Sequence, residues 1–219
     1  MCIRDRNDSI DVTTIGNAIV DIIAQCNDKF LEEFKIIKAS MDLIDEQRSK
    51  TLFDNLENPK IISGGSAANT AVGIAALGSK AAFIGKVKND ELGNTFKDDI
   101  QKVGVSFNTV LENDGPRTAS SIILVTPDAE RSMNTFLGAC VNLDVQDLDE
   151  NLIKNSKIVY LEGYLFDPPK AKEAFIKAAE IAKNEQNLVS MTLSDSFCVE
   201  RHRSDFFSFI QNHVDILFC

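Results

Sequence analysis

Residues 64–69 read Gly64-Gly65-Ser66-Ala67-Ala68-Asn69 and open an alanine-rich stretch that runs to Leu77 and Gly78. Two glycines ahead of a helix let a ligand approach bare backbone. The first N–H groups of that helix have no partner within it and carry partial positive charge, so the place suits oxygen-rich ligands. A second polar cluster, Gly16-Asn17-Ala18-Ile19-Val20-Asp21, follows the first expected strand. Asp21 can accept two hydroxyl hydrogen bonds at once, and Asn17 offers both donor and acceptor, a combination that suits the vicinal hydroxyls of a ribose-like sugar. Asn69 falls one turn into the helix, where its side chain faces the same mouth. Each cluster alone also fits an ordinary turn. The diglycine is neither a P-loop, since no Gly-Lys-Ser/Thr follows, nor a G-x-G-x-x-G fingerprint.

Three further residues carry charge where chemistry would need it. Arg131 follows an expected hairpin turn, where a guanidinium on a mobile flap clamps a transferring phosphate or merely pairs with Asp128 or Glu130. Glu162, in Tyr160-Leu161-Glu162-Gly163, sits at the carboxyl end of an apolar strand, the edge at which open α/β sheets bind ligands. Asp195 occupies the equivalent place after Leu188–Leu193. His202, in Glu-Arg-His-Arg, reads as part of a solvated helix start.

The elements that must hold these groups alternate. Strands are expected at Ile10–Ile15, 61–62, Ala81–Ile84, Ile158–Leu161, Leu188–Leu193 and Val214–Phe218. Helices are expected from Asp28 (Phe30, Leu31, Phe34, Ile37), from Asp45 (Leu52, Phe53, Leu56), over 66–77 (Ala71, Ile74, Ala75, Leu77), over 91–103 (Leu92, Phe96, Ile100, Val103), over 170–183 and over 200–211. Residues 119–126 and 131–137 flank Pro127-Asp128-Ala129-Glu130 as a hairpin. The second half thus reads β-α-β-α-β, which implies a parallel sheet with helices on its faces.

The 219 residues, 44% hydrophobic, suffice for one sizeable core. A net charge of −10 argues against nucleic acid or an anionic membrane as partner. The five cysteines form no C-x-x-C pair and the only histidines are His202 and His213. That pattern disfavours a zinc centre and fits a reducing cytoplasm. No apolar run approaches the ~18–20 residues of a membrane span. Residues 1–9 read as an unstructured leader.

Taken together, the segments resemble the PfkB-type carbohydrate kinases, the ribokinase and adenosine kinase family, over nearly the whole chain from Ile10. The resemblance rests on Ile15-Gly16-Asn17 with Asp21, on Gly64 to Ala71, and on Phe83-Ile84-Gly85-Lys86-Val87-Lys88-Asn89-Asp90-Glu91-Leu92-Gly93. It rests further on Arg117-Thr118-Ala119, Glu130-Arg131-Ser132-Met133 and Val214-Asp215-Ile216-Leu217-Phe218. It implies a Rossmann-like ribokinase fold, a mostly parallel sheet flanked by helices, with a small β lid from residues around 38–44 and 117–137. It implies that Asn17, Asp21, Gly64, Gly65, Ser66 and Asn69 hold sugar or ribose hydroxyls, that Glu162 lies near substrate and phosphates, and that Arg131 reaches the transferred phosphate. The stretch Phe136-Leu137-Gly138-Ala139 looks more like the adenosine kinase branch.

The resemblance also implies ATP and Mg2+ as cofactors, a small sugar or nucleoside as partner, and a homodimer through the lid. Two departures stand out. Lys88 replaces a glycine usual in the Gly-x-Val-Gly-x-Asp-x-x-Gly segment. The family's Asp-Thr-x-Gly-Ala-Gly-Asp signature, whose last aspartate is the base, does not occur in the 219 residues, nor does the magnesium-associated Asn-x-x-Glu. The expectation is an N-terminal portion of a kinase, with the ATP and Mg2+ sites largely downstream of Cys219 and no metal site of its own. A non-catalytic sugar- or nucleoside-binding module is the alternative.

Overall fold

A computed structural model describes residues 9–219, so all but the last residue of the expected leader lies outside the described residues. The chain runs β1 (Ile10–Ile15), β2 (Ile19–Gln25), α1 (Asp28–Glu33), β3 (Met41–Leu43), α2 (Glu46–Phe53), β4 (Lys60–Gly64), α3 (Ser66–Ala76), β5 (Ala81–Ile84) and α4 (Glu91–Lys102). It continues through β6 (Ala119–Val125), β7 (Arg131–Phe136), α5 (Glu150–Lys154), β8 (Ser156–Glu162), α6 (Pro169–Asn184), β9 (Leu188–Thr192), α7 (Ser196–Arg201), α8 (Arg203–His213) and β10 (Ile216–Phe218).

Two five-stranded sheets result. The first, in the order β10-β9-β8-β1-β5, is parallel throughout. Crossovers through α6 and α8 build its second half, as the alternating pattern predicts. Ala81–Ile84 is buried at every residue, the signature of a strand covered on both faces. On one face α6 buries Ala171, Ala174, Phe175, Ala178 and Ala182, and Phe166 stacks on Phe206 at 4.3 Å between ring centroids. On the other face α3 lays Ala67, Ala68 and Ala71 against β1 and β5. Its small side chains allow that close approach. Phe83, Phe96 and Phe107 fill the space toward α4.

The second sheet, β3-β7-β6-β2-β4, is mixed. It contains the expected hairpin β6–β7, with Ala129 at φ 66° in the turn. It also contains β2 and β4, which the residue pattern does not mark as partners. Asp21 therefore lies inside a strand, paired in register with Ser121 and Ile62, rather than in the exit loop of β1. The polar residue in Ile19-Val20-Asp21-Ile22-Ile23 reads as a strand end, whereas the alternation simply places Asp21 on one face and Val20 and Ile22 in the core.

Other boundaries shift for local reasons. Asn27, not Asp28, caps α1, its side chain accepting from Phe30 N at 2.9 Å. Ile37, Leu77 and Val103 fall past their helices and are exposed. The expected helix over 200–211 is two helices meeting at His202, and α7 starts at Ser196 because Asp195 caps it, accepting from Cys198 N at 2.7 Å.

Candidate functional site

The site lies where the carboxyl ends of β1, β8 and β9 face the second sheet. Glu162 closes its floor. The side chain is 2% exposed, and its Oε2 accepts from Asn17 N at 3.3 Å and Ala67 N at 3.2 Å. One carboxylate thereby joins the end of β8, the exit of β1 and the first turn of α3. A Cβ on Gly16 would overlap Glu162 Oε2 and Ala67 Cβ, which is the physical reason for glycine there. Burial pushes the Glu162 carboxyl up to about 7, against the N–H groups of Ala67 and Asn17, which favour the charged form.

The diglycine serves two separate needs. Gly64 leaves room for the Asp21 carboxylate, which a Cβ would overlap. Gly65 precedes α3 at φ 95°, a conformation that disfavours side chains, and a Cβ there would overlap Asn17 O. Ser66 and Asn69 then lie on the exposed side of the helix start.

These groups converge on one cavity of about 480 Å³. Asn17, Asp21, Gly65, Ser66, Asn69, Arg131 and Glu162 all line it, so seven of the eight expected site residues meet, and Gly64 lies behind Asp21. Asn17 is 6% exposed, and its side-chain oxygen is buried without a hydrogen-bond partner. Burial raises the Asp21 carboxyl, with the Arg131 charge opposing that shift. Arg131 forms no ion pair among the described residues, and Asp128 pairs with Lys38 at 2.7 Å. An unfilled acceptor, a carboxylate and a free guanidinium thus share one hollow.

Residues that the sequence pattern does not single out complete the walls. Ile19, Met41, Leu43, Met133, Leu137, Val141 and Phe197 supply apolar surface. Of these, Met41, Leu43 and Phe197 are 49%, 63% and 69% exposed. Tyr164, Asp167, Asp195 and Arg201 line the cavity as well. Arg201 grips Asp167 with two hydrogen bonds, at 3.1 and 2.8 Å, and His202 lies 2.8 Å from the same carboxylate. His202 is therefore half-buried at a helix junction rather than on a solvated face. Asp195 does lie at the cavity, but it also serves as a helix cap. Among the described residues, no group of three His, Cys, Asp or Glu side chains could hold a metal ion, and no helix is long and apolar enough to cross a membrane.

A family model described as pfkB family carbohydrate kinase matches residues 34–219. The adenosine kinase from Sinorhizobium meliloti superposes with a TM-score of 0.87 at 52% identity, over 96% of this chain and 64% of that one. A probable sugar kinase from Rhizobium etli CFN 42 gives 0.88 at 50% identity, with the same coverage. A 5-dehydro-2-deoxygluconokinase from Clostridium perfringens is 33% identical over 129 residues, 58% of this chain and 38% of its own length. The chain thus spans under two thirds of the length of each of these three proteins.

Proposed function

This chain belongs to the pfkB family of carbohydrate kinases, and on that premise we propose that its cavity holds a nucleoside as the acceptor of a phosphoryl group. The observation that carries the reading is the pairing of unfilled polar groups with apolar walls in one hollow. Asn17 Oδ1 and the Asp21 carboxylate can each take a ribose hydroxyl. The N–H groups at the start of α3 and the Asn69 side chain lie beside them. A bare sugar would leave Met41, Leu43, Met133 and Phe197 facing water. A flat base attached to that sugar covers them.

The chemistry assigned to the chain's own residues is positioning and charge. Glu162 holds the three segments of the cradle together. Arg131, projecting from β7 of the second sheet, meets the negative charge of the incoming phosphoryl group, with that sheet acting as the lid. ATP with Mg2+ would supply that group in this reading: the acceptor's primary hydroxyl would form the new O–P bond as the bond to the β,γ-bridging oxygen breaks, ADP would leave, and the hydroxyl proton would pass to a base. The pattern that would supply this base, Asp-Thr-x-Gly-Ala-Gly-Asp, is not among the 219 residues. On its own, the chain therefore binds the acceptor without turning it over.

Calorimetric titration tests this. Adenosine should give saturable heat and ribose a weaker response. Asp21→Ala should weaken adenosine binding at least tenfold, the equivalent of about 1.5–3 kcal/mol for hydrogen bonds to a charged group. A coupled ADP-release assay should stay at background. Heat that is indifferent to Asp21, or no heat at all, would contradict the reading.

A further inference from the structure

The Lys86–Gly93 segment carries part of the family likeness yet contributes no side chain to the cavity, and its geometry gives it another task. Asp90 ends the loop after β5. Its Oδ1 accepts from Gly93 N at 2.8 Å, which caps α4, and from Thr118 Oγ1 at 2.7 Å. Its Oδ2 accepts from Thr118 N at 2.9 Å. Thr118, 1% exposed, in turn accepts from Lys88 N at 3.0 Å. A Cβ on Gly93 would overlap Lys88 O and crowd Thr118 Oγ1, so the glycine makes the approach possible.

Thr118 stands one residue before the β6–β2 ladder, whose first pair is Ala119 with Ile19 and whose third is Ser121 with Asp21. The exit of β7 meets the same root, as Ala139 N donates to Arg117 O at 2.9 Å. Lys88, the departure from the usual glycine, adds a tether from its Nζ to Gly115 O at 2.6 Å. From this geometry we infer that Asp90 is a positioning residue, a clasp that pins the root of the β6–β7 hairpin to the loop between β5 and α4 and so sets Asp21 and Arg131 over the cavity. The link to ligand affinity rests on the nucleoside reading above; the clasp itself does not.

Asp90→Asn separates the clasp from the helix cap. Asparagine still accepts from Gly93 N, but its amide group presents a donor to Thr118 N. Hydrogen exchange on the 219-residue chain should then speed up at least tenfold over residues 119–125 and 131–136, with α4 unchanged. Adenosine affinity should drop severalfold. Thr118→Val should act in the same direction and add little to Asp90→Asn in the double variant, and Thr118→Ser should behave as wild type. Unchanged exchange in β6 and β7, or faster exchange confined to α4, would overturn the clasp. If the wild-type chain gives no adenosine heat while the exchange pattern holds, the nucleoside reading fails and the clasp stands.

Discussion

Glu162 shows how one buried side chain ties ligand geometry to pH. Its carboxyl is raised from 4.5 to about 7 by burial, so the native state binds this proton more tightly than the unfolded chain does. Between those two values the native state holds more protons, and stability falls as pH rises. The full shift corresponds to about 3–4 kcal/mol at most. Glu162→Gln removes that dependence while keeping one acceptor for the N–H groups of Asn17 and Ala67. Chemical denaturation at pH 5 and pH 8 should show the variant gaining on wild type as pH rises. A constant difference across that range would mean that Glu162 is solvated rather than sealed. That Glu162 lies at the cavity is legible from its place after an apolar strand. Its role as a brace is not, since both donors come from backbone 95 and 145 residues away.

At the scale of elements, the cradle depends on two tight joints, Gly16 after β1 and Gly65 before α3. Gly16→Ala would drive a methyl group into Glu162 and Ala67. It should destabilise the fold by about 1–3 kcal/mol, as overpacking does, read as a lower midpoint in urea. A midpoint within error of wild type would show that the brace can move aside. The parallel strands and the amphipathic α6 are legible because apolar runs and helical spacing are local signals. Strand β2 is not, because its partners β4 and β6 lie some 40 and 100 residues on and its central Asp21 mimics a strand end. The break at His202 escapes helical spacing for a similar reason. Asp167, 35 residues away, holds the junction. The apolar cavity wall escapes too, because Met41 and Leu43 of β3 and Phe197 of α7 come from two short segments that only the tertiary fold assembles.

For the whole molecule, the two sheets divide the work. The parallel sheet presents strand ends and a helix start. The mixed sheet faces them with Asp21 and Arg131. The parallel sheet is well covered except at β10, where Ile216, Leu217 and Phe218 are 37%, 39% and 54% exposed. An apolar edge strand of this kind invites self-association. Light scattering should detect association that grows with concentration, and Phe218→Asp should reduce it. A monodisperse wild-type monomer at high concentration would show that β10 is not sticky. The claim on which the functional account turns is where the acceptor sits, and a crystal structure of the chain grown with adenosine tests it most directly. The account predicts ribose hydroxyls within hydrogen-bonding distance of Asn17 Oδ1, Asp21 and Asn69, with the base against Met133 and Phe197. Adenosine density anywhere else, with this cavity left to water, would contradict it.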